Sequence, residues 1–269
     1  MNHERVIVPI VLVRGVGDVG SAVAHHLFRA SYAVAIHDDT MPTTPRRTMA
    51  FTDAVFDGRA FLDGVTARRV DSLPQARSLL IDREVIPVLV GDFAPTLAAL
   101  GPAILVDARM RKRTQPEPQR GLAPLVIGLG PNFVAGGNVD LAIETSWEAL
   151  GAVIRHGSTL SLAGEPRPLG GHRRDRFIYA PHAGTFRTVR RIGESVEVGE
   201  EVAHLDATPL LAPLGGTLRG LTHDGVPVAE GTKIIEVDPR GGSVVSGIGE
   251  RPGRIAAGVL AALAGSSFS

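Results

Sequence analysis

The chain has 269 residues, more than a typical single domain, and its 44% hydrophobic content is ample for a packed core. Its 28 basic residues, nearly all arginine, balance 28 acidic ones, so no strong field draws it to nucleic acid or to an anionic membrane. Cysteine is absent, which excludes disulfides, thiolate metal sites and any persulfide or selenyl-sulfide carried on the protein itself.

The first residues run into a short apolar stretch, 6–13, that contains Pro9 and matches neither a secretory signal nor a transit peptide. The longest late apolar stretch, 255–264, falls short of the ~20 residues a membrane span needs. Both features read as a cytoplasmic protein. Residues 6–13 have the β-branched, near-continuous apolar pattern of a strand buried on both faces of a parallel sheet. They end at Arg14-Gly15-Val16-Gly17-Asp18-Val19-Gly20, followed by a helical pattern over 21–30 and a second strand over 32–36. Gly15-x-Gly17-x-x-Gly20 thus stands in the strand-turn-helix context of a dinucleotide fingerprint. The first glycine serves the tight turn, the second a close backbone approach to pyrophosphate, and the third helix-on-strand packing. Asp38, 18 residues after Gly20, stands where a carboxylate would accept from the ribose hydroxyls, with Asp39 as a rival. These residues lead us to expect NAD, preferred over NADP, or another nucleotide. Asp18 lies inside the phosphate turn, where a carboxylate repels pyrophosphate unless it caps the helix. Arg46 and Arg47 follow the expected ribose acid, at a spacing that suits forking a phosphate or carboxylate or making surface salt bridges.

Further along, helix is expected over 73–84 and 94–100, and strand over 86–90 and 104–107, the latter ending in Asp107-Ala108-Arg109. A basic run, Arg109, Arg111, Lys112 and Arg113, precedes a proline-containing loop, 114–121. Residues 122–129 read as another buried strand leading into a glycine-rich loop that starts at Gly128 and Gly130, close enough to a sheet end to reach a ligand or simply to turn. A strand over 139–144 closes the alternation. This order predicts an α/β fold: a Rossmann-like, mostly parallel sheet in residues 1–156.

Residues 157–175 are rich in glycine, proline and arginine and read as a linker. In 176–240 one motif is written twice. Ala180-Pro181-x-x-Gly184-Thr185-x-Arg187, with Gly193, Val196 and Gly199, returns 32 residues later as Ala212-Pro213-x-x-Gly216-Thr217-x-Arg219, with Gly225, Val228 and Gly231. The spacing suits a second, small all-β barrel-sandwich domain of the biotinyl/lipoyl-like kind. The connection between the halves, 204–211, has no lysine, and the chain has only Lys112 and Lys233, so covalent biotin or lipoate is not expected. No histidine pair has metal spacing. The tail, 241–269, contains an amphipathic helix over 254–264 that should pack back on the protein.

Several segments together resemble the YqeB-type accessory proteins of selenium-dependent molybdenum hydroxylases. They are Arg14-Gly15-x-Gly17-Asp18, Pro42-x-x-x-Arg46-Arg47-x-x-x-Phe51, Val106-Asp107-Ala108-Arg109, the run from Ala123 to Pro131, Ile143-Glu144-Thr145, Leu218-Arg219-Gly220-Leu221 and Val237-Asp238-Pro239-Arg240. The chain departs from that family after Glu144-Thr145, where Ser146-Trp147-Glu148 replaces the usual Arg-Gly-His stretch. The resemblance implies a maturation role for a molybdenum hydroxylase of xanthine dehydrogenase type, with that enzyme or its maturation factors as partners and a nucleotide or molybdopterin-type cofactor as ligand. A stand-alone NAD(P)-dependent oxidoreductase and a non-catalytic scaffold are the alternatives, and homo-oligomerisation is left open.

Overall fold

The computed structural model describes residues 9–111, 114–161 and 166–265. Its first strand, β1 (Ile10–Arg14), is the described part of the apolar run and is buried on both faces. It feeds α1 (Asp18–Arg29), then β2 (Ala33–Asp38), the short helix α2 (Asp53–Asp57) and a hairpin of β3 (Arg59–Leu62) and β4 (Val65–Arg69). Next come α3 (Leu73–Asp82), β5 (Ile86–Val90), α4 (Phe93–Leu100), β6 (Ile104–Asp107), β7 (Leu125–Leu129), β8 (Val134–Ala135), β9 (Leu141–Ile143), β10 (Val153–Ile154) and β11 (Gly157–Ser158). Nine of these strands form one sheet in the order β10-β9-β7-β6-β1-β2-β5-β4-β3. Seven run parallel, while β3 and β10 at the edges pair antiparallel with β4 and β9. The β3–β4 hairpin, unanticipated from the sequence, turns on Asp63-Gly64, both at positive φ, the dipeptide that two-residue hairpins favour.

The duplicated segment supplies β12 (Phe177–Tyr179), β13 (Gly184–Arg187), β14 (Ser195–Val196), β15 (Glu201–Leu205), β16 (Thr208–Leu211), β17 (Gly216–Leu221), β18 (Pro227–Val228) and β19 (Lys233–Asp238). They form two four-stranded sheets, β12-β19-β17-β14 and β16-β15-β13-β18. The halves interlock through equivalent residues: Gly184 pairs with Val228, and Gly216, 32 residues on, pairs with Val196. The turns repeat as well. Gly193 N–H donates to Leu218 O and Gly225 N–H to Phe186 O, both at 2.8 Å. Phe186, Leu218, Ile234 and Val237 lie in the core these sheets share.

The expectation of a Rossmann-like, mostly parallel sheet with a separate small barrel-sandwich domain is corrected here. The architecture is α/β, but its main sheet is a large mixed one. The duplicated segment is not set apart from it: the chain returns from that segment to the main layer as α5 (Glu250–Ala264), whose Ile255, Val259 and Leu263 share the core of α1 and β1. Gly258 of α5 rests on the carbonyl of Gly151, a contact that leaves no space for a Cβ. Phe56 of α2 stacks on His223 at 4.0 Å between ring centroids, and Leu221 N–H donates to Pro45 O at 2.7 Å.

The glycine turn is shaped by packing. Gly15 has φ +121°, and a Cβ on Gly20 would fall on the carbonyl of Gly15. Gly17 has φ −64°, and a Cβ there would meet only Thr44 at ordinary contact distance, 3.5 Å. Gly20→Ala should therefore cost more than about 2 kcal/mol, whereas Gly17→Ala should cost about 1 kcal/mol or less. Urea unfolding of both variants checks this; equal losses would contradict the packing argument.

Candidate functional site

Two charged constellations meet around the glycine turn, one under it and one beside it. The turn's own polar groups are engaged within the protein. Gly15 N–H donates to His37 O at 2.8 Å, Val16 N–H to Asp38 Oδ2 at 2.6 Å, and Val16 O accepts from Ser21 Oγ and Thr52 Oγ1. Asp38 is thus a half-buried brace of the turn. Burial raises its carboxyl pKa, with the amides of Val16 and Asp39 pulling the other way. Asp18 sits in the first turn of α1, so the position where the fingerprint places a pyrophosphate already has a carboxylate beside it. Burial opposes that charge, but Arg46, Lys233 and Arg251 outweigh it and hold the Asp18 pKa below the usual carboxylate value.

Arg46 and Arg47 are both engaged across the interface with the duplicated segment. Arg46 clasps Glu236 with Nε at 2.8 Å and Nη2 at 3.0 Å and reaches Asp18 with Nη1 at 3.2 Å. Glu236, fully buried on β19, also receives Arg176 at 2.5 Å, Arg219 at 2.9 Å and Lys233 at 3.2 Å. Burial disfavours its charge, yet Lys233 and Arg46 hold its pKa well below the ordinary value. Arg47 donates to Leu221 O and to Asp53. Gly128 makes space for the Phe133 ring, and Gly130, at φ +110°, turns beside Met110. Gly20, Gly128 and Gly130 are therefore packing and turn positions.

The second constellation is a crevice of about 190 Å³ at the carboxyl ends of β1, β2, β5 and β6, where the chain reverses direction across the sheet. Of the residues the sequence singled out, Asp38, its rival Asp39, and Arg109 and Arg111 of the basic run line it. Arg14, His37, Gly91, Asp92 and Phe93 complete the lining. Arg14 stacks its guanidinium on the Phe93 ring at 3.8 Å, and His37 meets the same ring edge-on at 5.4 Å. Arg109 is fixed by Asp107, which accepts from its Nε at 3.0 Å and its Nη2 at 2.5 Å, and Gln119 holds Asp107 from behind at 2.5 Å. Arg14, Arg109 and Arg111 converge on one carboxylate, Glu117, at 2.7, 2.8 and 3.6 Å. Partial burial works against that charge, but its own backbone amide and the guanidinium groups of Arg109 and Arg14 hold Glu117 down at about 2.

Three buried polar atoms on the lining residues have no hydrogen-bond partner: Arg109 Nη1 and both ring nitrogens of His37. His37 is buried, and burial followed by the nearby Arg14 lowers its pKa below 6.5 while the Gly91 backbone pulls the other way, so it stands as a neutral imidazole. The sequence signal for His37 was a polar residue in an otherwise apolar strand, Ala33–Asp38, directly before the acidic pair. Among the described residues no cluster of three or more His, Asp or Glu side chains is suited to a metal, and no helix is long and apolar enough to cross a membrane. Lys112 and Arg113 of the basic run lie outside the described residues.

No protein-family model matches the chain. It is 38% identical over 258 residues to the uncharacterized protein YqeB of Escherichia coli strain K12; the match covers 94% of the chain but 47% of that protein, so the chain spans about half the length of its curated relative. Among solved structures it aligns with the ectoine utilization protein EutE (DoeB) of Ruegeria pomeroyi, at 15% identity, 85% coverage of both chains and a TM-score of 0.25. It also aligns with an aspartoacylase family protein of Mesorhizobium loti, at 12% identity, 87% and 86% coverage and a TM-score of 0.26. A succinylglutamate desuccinylase/aspartoacylase of Rhodobacter sphaeroides aligns at 16% identity, 85% coverage of both and a TM-score of 0.26. Likenesses at these scores carry no argument about the chemistry of this chain. The expected function, maturation of a molybdenum hydroxylase, is not what any of these matches names, and it is withdrawn here. The named relative is uncharacterized, and the solved structures are of the aspartoacylase and desuccinylase kind. None of the proteins named above is described as an accessory factor of a molybdenum hydroxylase or as a nicotinamide-dependent oxidoreductase. The maturation role and its two alternatives are set aside, and the carboxylate at the glycine turn agrees with that correction.

The His37 ring should titrate below 6.5 in the folded protein. In the interval between its folded value and 6.5 the unfolded chain takes the proton first, so this group lowers stability as pH falls through that interval. Ring-proton chemical shifts followed from pH 8 to pH 4 measure the midpoint, and a value at or above 6.5 would show that the imidazole is not shielded as described.

Proposed function

We propose that this protein binds a small polar molecule with an anionic head, a carboxylate or a phosphate, in the crevice at the strand ends. The observation that carries the reading is the convergence of Arg14, Arg109 and Arg111 on the single carboxylate Glu117, beside buried atoms of Arg109 and His37 that no protein group satisfies. Buried polar atoms are normally paired, and an orphan in a crevice marks a partner supplied from outside. Glu117, half exposed on the 114–121 loop, stands in for the ligand's anion, and an incoming oxyanion would take its place between the three arginines. On the other wall Asp39 and Asp92 offer acceptors beside the His37 ring, which suits a hydroxyl or amine on the same ligand. The volume decides the size class: about 190 Å³ is below the ~300 Å³ at which pockets for drug-sized molecules begin, so the fit is to a hydroxy acid, an amino acid or a bare phosphate. Neutral His37, within the crevice, is suited to accept a proton from such a hydroxyl.

Titration of isotope-labelled protein with lactate, glycine and inorganic phosphate tests the proposal. At least one should shift the His37 ring and Arg109 side-chain resonances in a saturable way, Arg109→Gln should weaken the binding tenfold or more, and Glu117→Gln should strengthen it by removing the internal competitor. Unmoved resonances at tens of millimolar of all three, in wild type and in Glu117→Gln alike, would overturn the assignment.

A further inference from the structure

The charges under the glycine turn do not balance. Arg46, Arg176, Arg219 and Lys233 all reach Glu236, and the second carboxylate of the group, Asp18, is paired by Arg46 alone. Arg251 of α5 adds a fifth cation, half-buried, whose guanidinium donates only to Thr145 O among its recorded bonds. Asp238, also buried, is occupied by Arg240 at 2.8 Å, with Arg219 farther off at 3.9 Å. With Arg240 on Asp238, and with Glu144 near enough for its charge to act on Arg251, six cations thus face four carboxylates. Arginine does not release its proton under ordinary conditions, so the one member of this group that can relieve the surplus by becoming neutral is Lys233. The setting favours that release. Burial and the charge of Arg46 work against the protonated amine, while Glu236, Asp18 and the Phe177 ring, 4.5 Å from Nζ, favour it. Burial is the largest influence, and the balance brings the amine down to about 8. Access remains open, since the Lys233 side chain keeps 30% of its surface exposed.

We infer that Lys233 is a nucleophilic amine that condenses with small anionic aldehydes or ketones, such as 2-oxo acids, whose negative group is held by the surplus arginine charge around Glu236. The neutral amine's lone pair attacks the carbonyl carbon, a C–N bond forms, and the carbonyl oxygen takes up protons and leaves as water, giving an imine without any change of oxidation state. Neighbouring cations serve the step twice: they keep the amine deprotonated, and they stabilise the oxyanion that forms on attack. The site is separate from the strand-end crevice, and neither reading depends on the other.

The chain contains only two lysines, so the test maps cleanly. Wild-type protein is incubated with glyoxylate and then borohydride, which reduces an imine to a stable secondary amine, and modified peptides are quantified by mass spectrometry. At pH 7.5, labelling at Lys233 should exceed that at Lys112 by about tenfold or more, as follows from an amine titrating near 8 instead of the usual ~10.4. Below pH 8 the labelling rate should fall about tenfold per pH unit, because the protonated amine has no lone pair to give. A neutral aldehyde of similar size, glycolaldehyde, should label Lys233 more slowly than glyoxylate. Lys233→Arg should abolish the increment while its circular dichroism stays native. Preferential labelling of Lys112, or Lys233 labelling no faster than that of free lysine, would overturn the inference. Equal labelling by the neutral aldehyde would remove the anionic class of partner.

Discussion

The structure depends on one buried carboxylate. Glu236 has no exposed surface, yet it bears a charge held by the fork of Arg46 and by Arg176, Arg219 and Lys233. Burying a carboxylate costs several kcal/mol, and only close opposite charges with good hydrogen bonds offset it. Here the partners come from three places in the chain: the loop after β2, the start of β12, and the strands of the second repeat. Glu236 therefore closes a circuit between the main sheet and the duplicated segment, and Arg46 reaches it across 190 residues of sequence.

That circuit also sets the position of the turn beside the crevice. Arg46 joins Asp18 to Glu236, and Arg47 and Pro45 bind Leu221, so the loop from 42 to 47 is held between the two layers. Asp38 in turn braces Val16, and β2 carries His37 into the crevice wall. Two arginine-rich environments result on either side of the same loop. In one, four cations share an internal carboxylate that cannot leave. In the other, three arginines share Glu117, which stands on a half-exposed loop and can be displaced. The difference in burial between Glu236 and Glu117 separates a carboxylate that stays in place from one that a ligand can replace.

The sequence made the local features legible. Strand and helix periodicity located β5 and β6 to the residue and α3 to within two, because buried strands and amphipathic helices write their period directly. The 32-residue repeat is matched in the structure by equivalent pairs, Gly184–Val228 and Val196–Gly216. The Asp63-Gly64 hairpin was also readable but went unread. What the sequence could not show was partnership at a distance. Arg46 has the same spacing from Asp38 whether it meets a cofactor phosphate or a glutamate on β19, and nothing in the local pattern of either residue names the other. Gly17 and Gly20 look alike in the fingerprint, although only Gly20 is packed against backbone. His37 was hidden because one polar residue in a buried strand has no period of its own. The separateness of the duplicated segment was inferred from its repeat and from the glycine-rich stretch before it, neither of which reports the ion pairs that tie it down.

The central claim is that Glu236 makes the two parts one cooperative unit. The single tryptophan, Trp147, follows β9 in the main layer and reports that layer's unfolding, while circular dichroism reports both layers. Urea unfolding of wild type and Glu236→Gln, followed by both signals, tests the claim most directly. Coincident transitions in wild type and a loss of about 3–5 kcal/mol in the variant, seen equally by Trp147, are what a buried clasp requires. Two separate transitions in wild type, or a Trp147 transition that Glu236→Gln leaves in place, would contradict it.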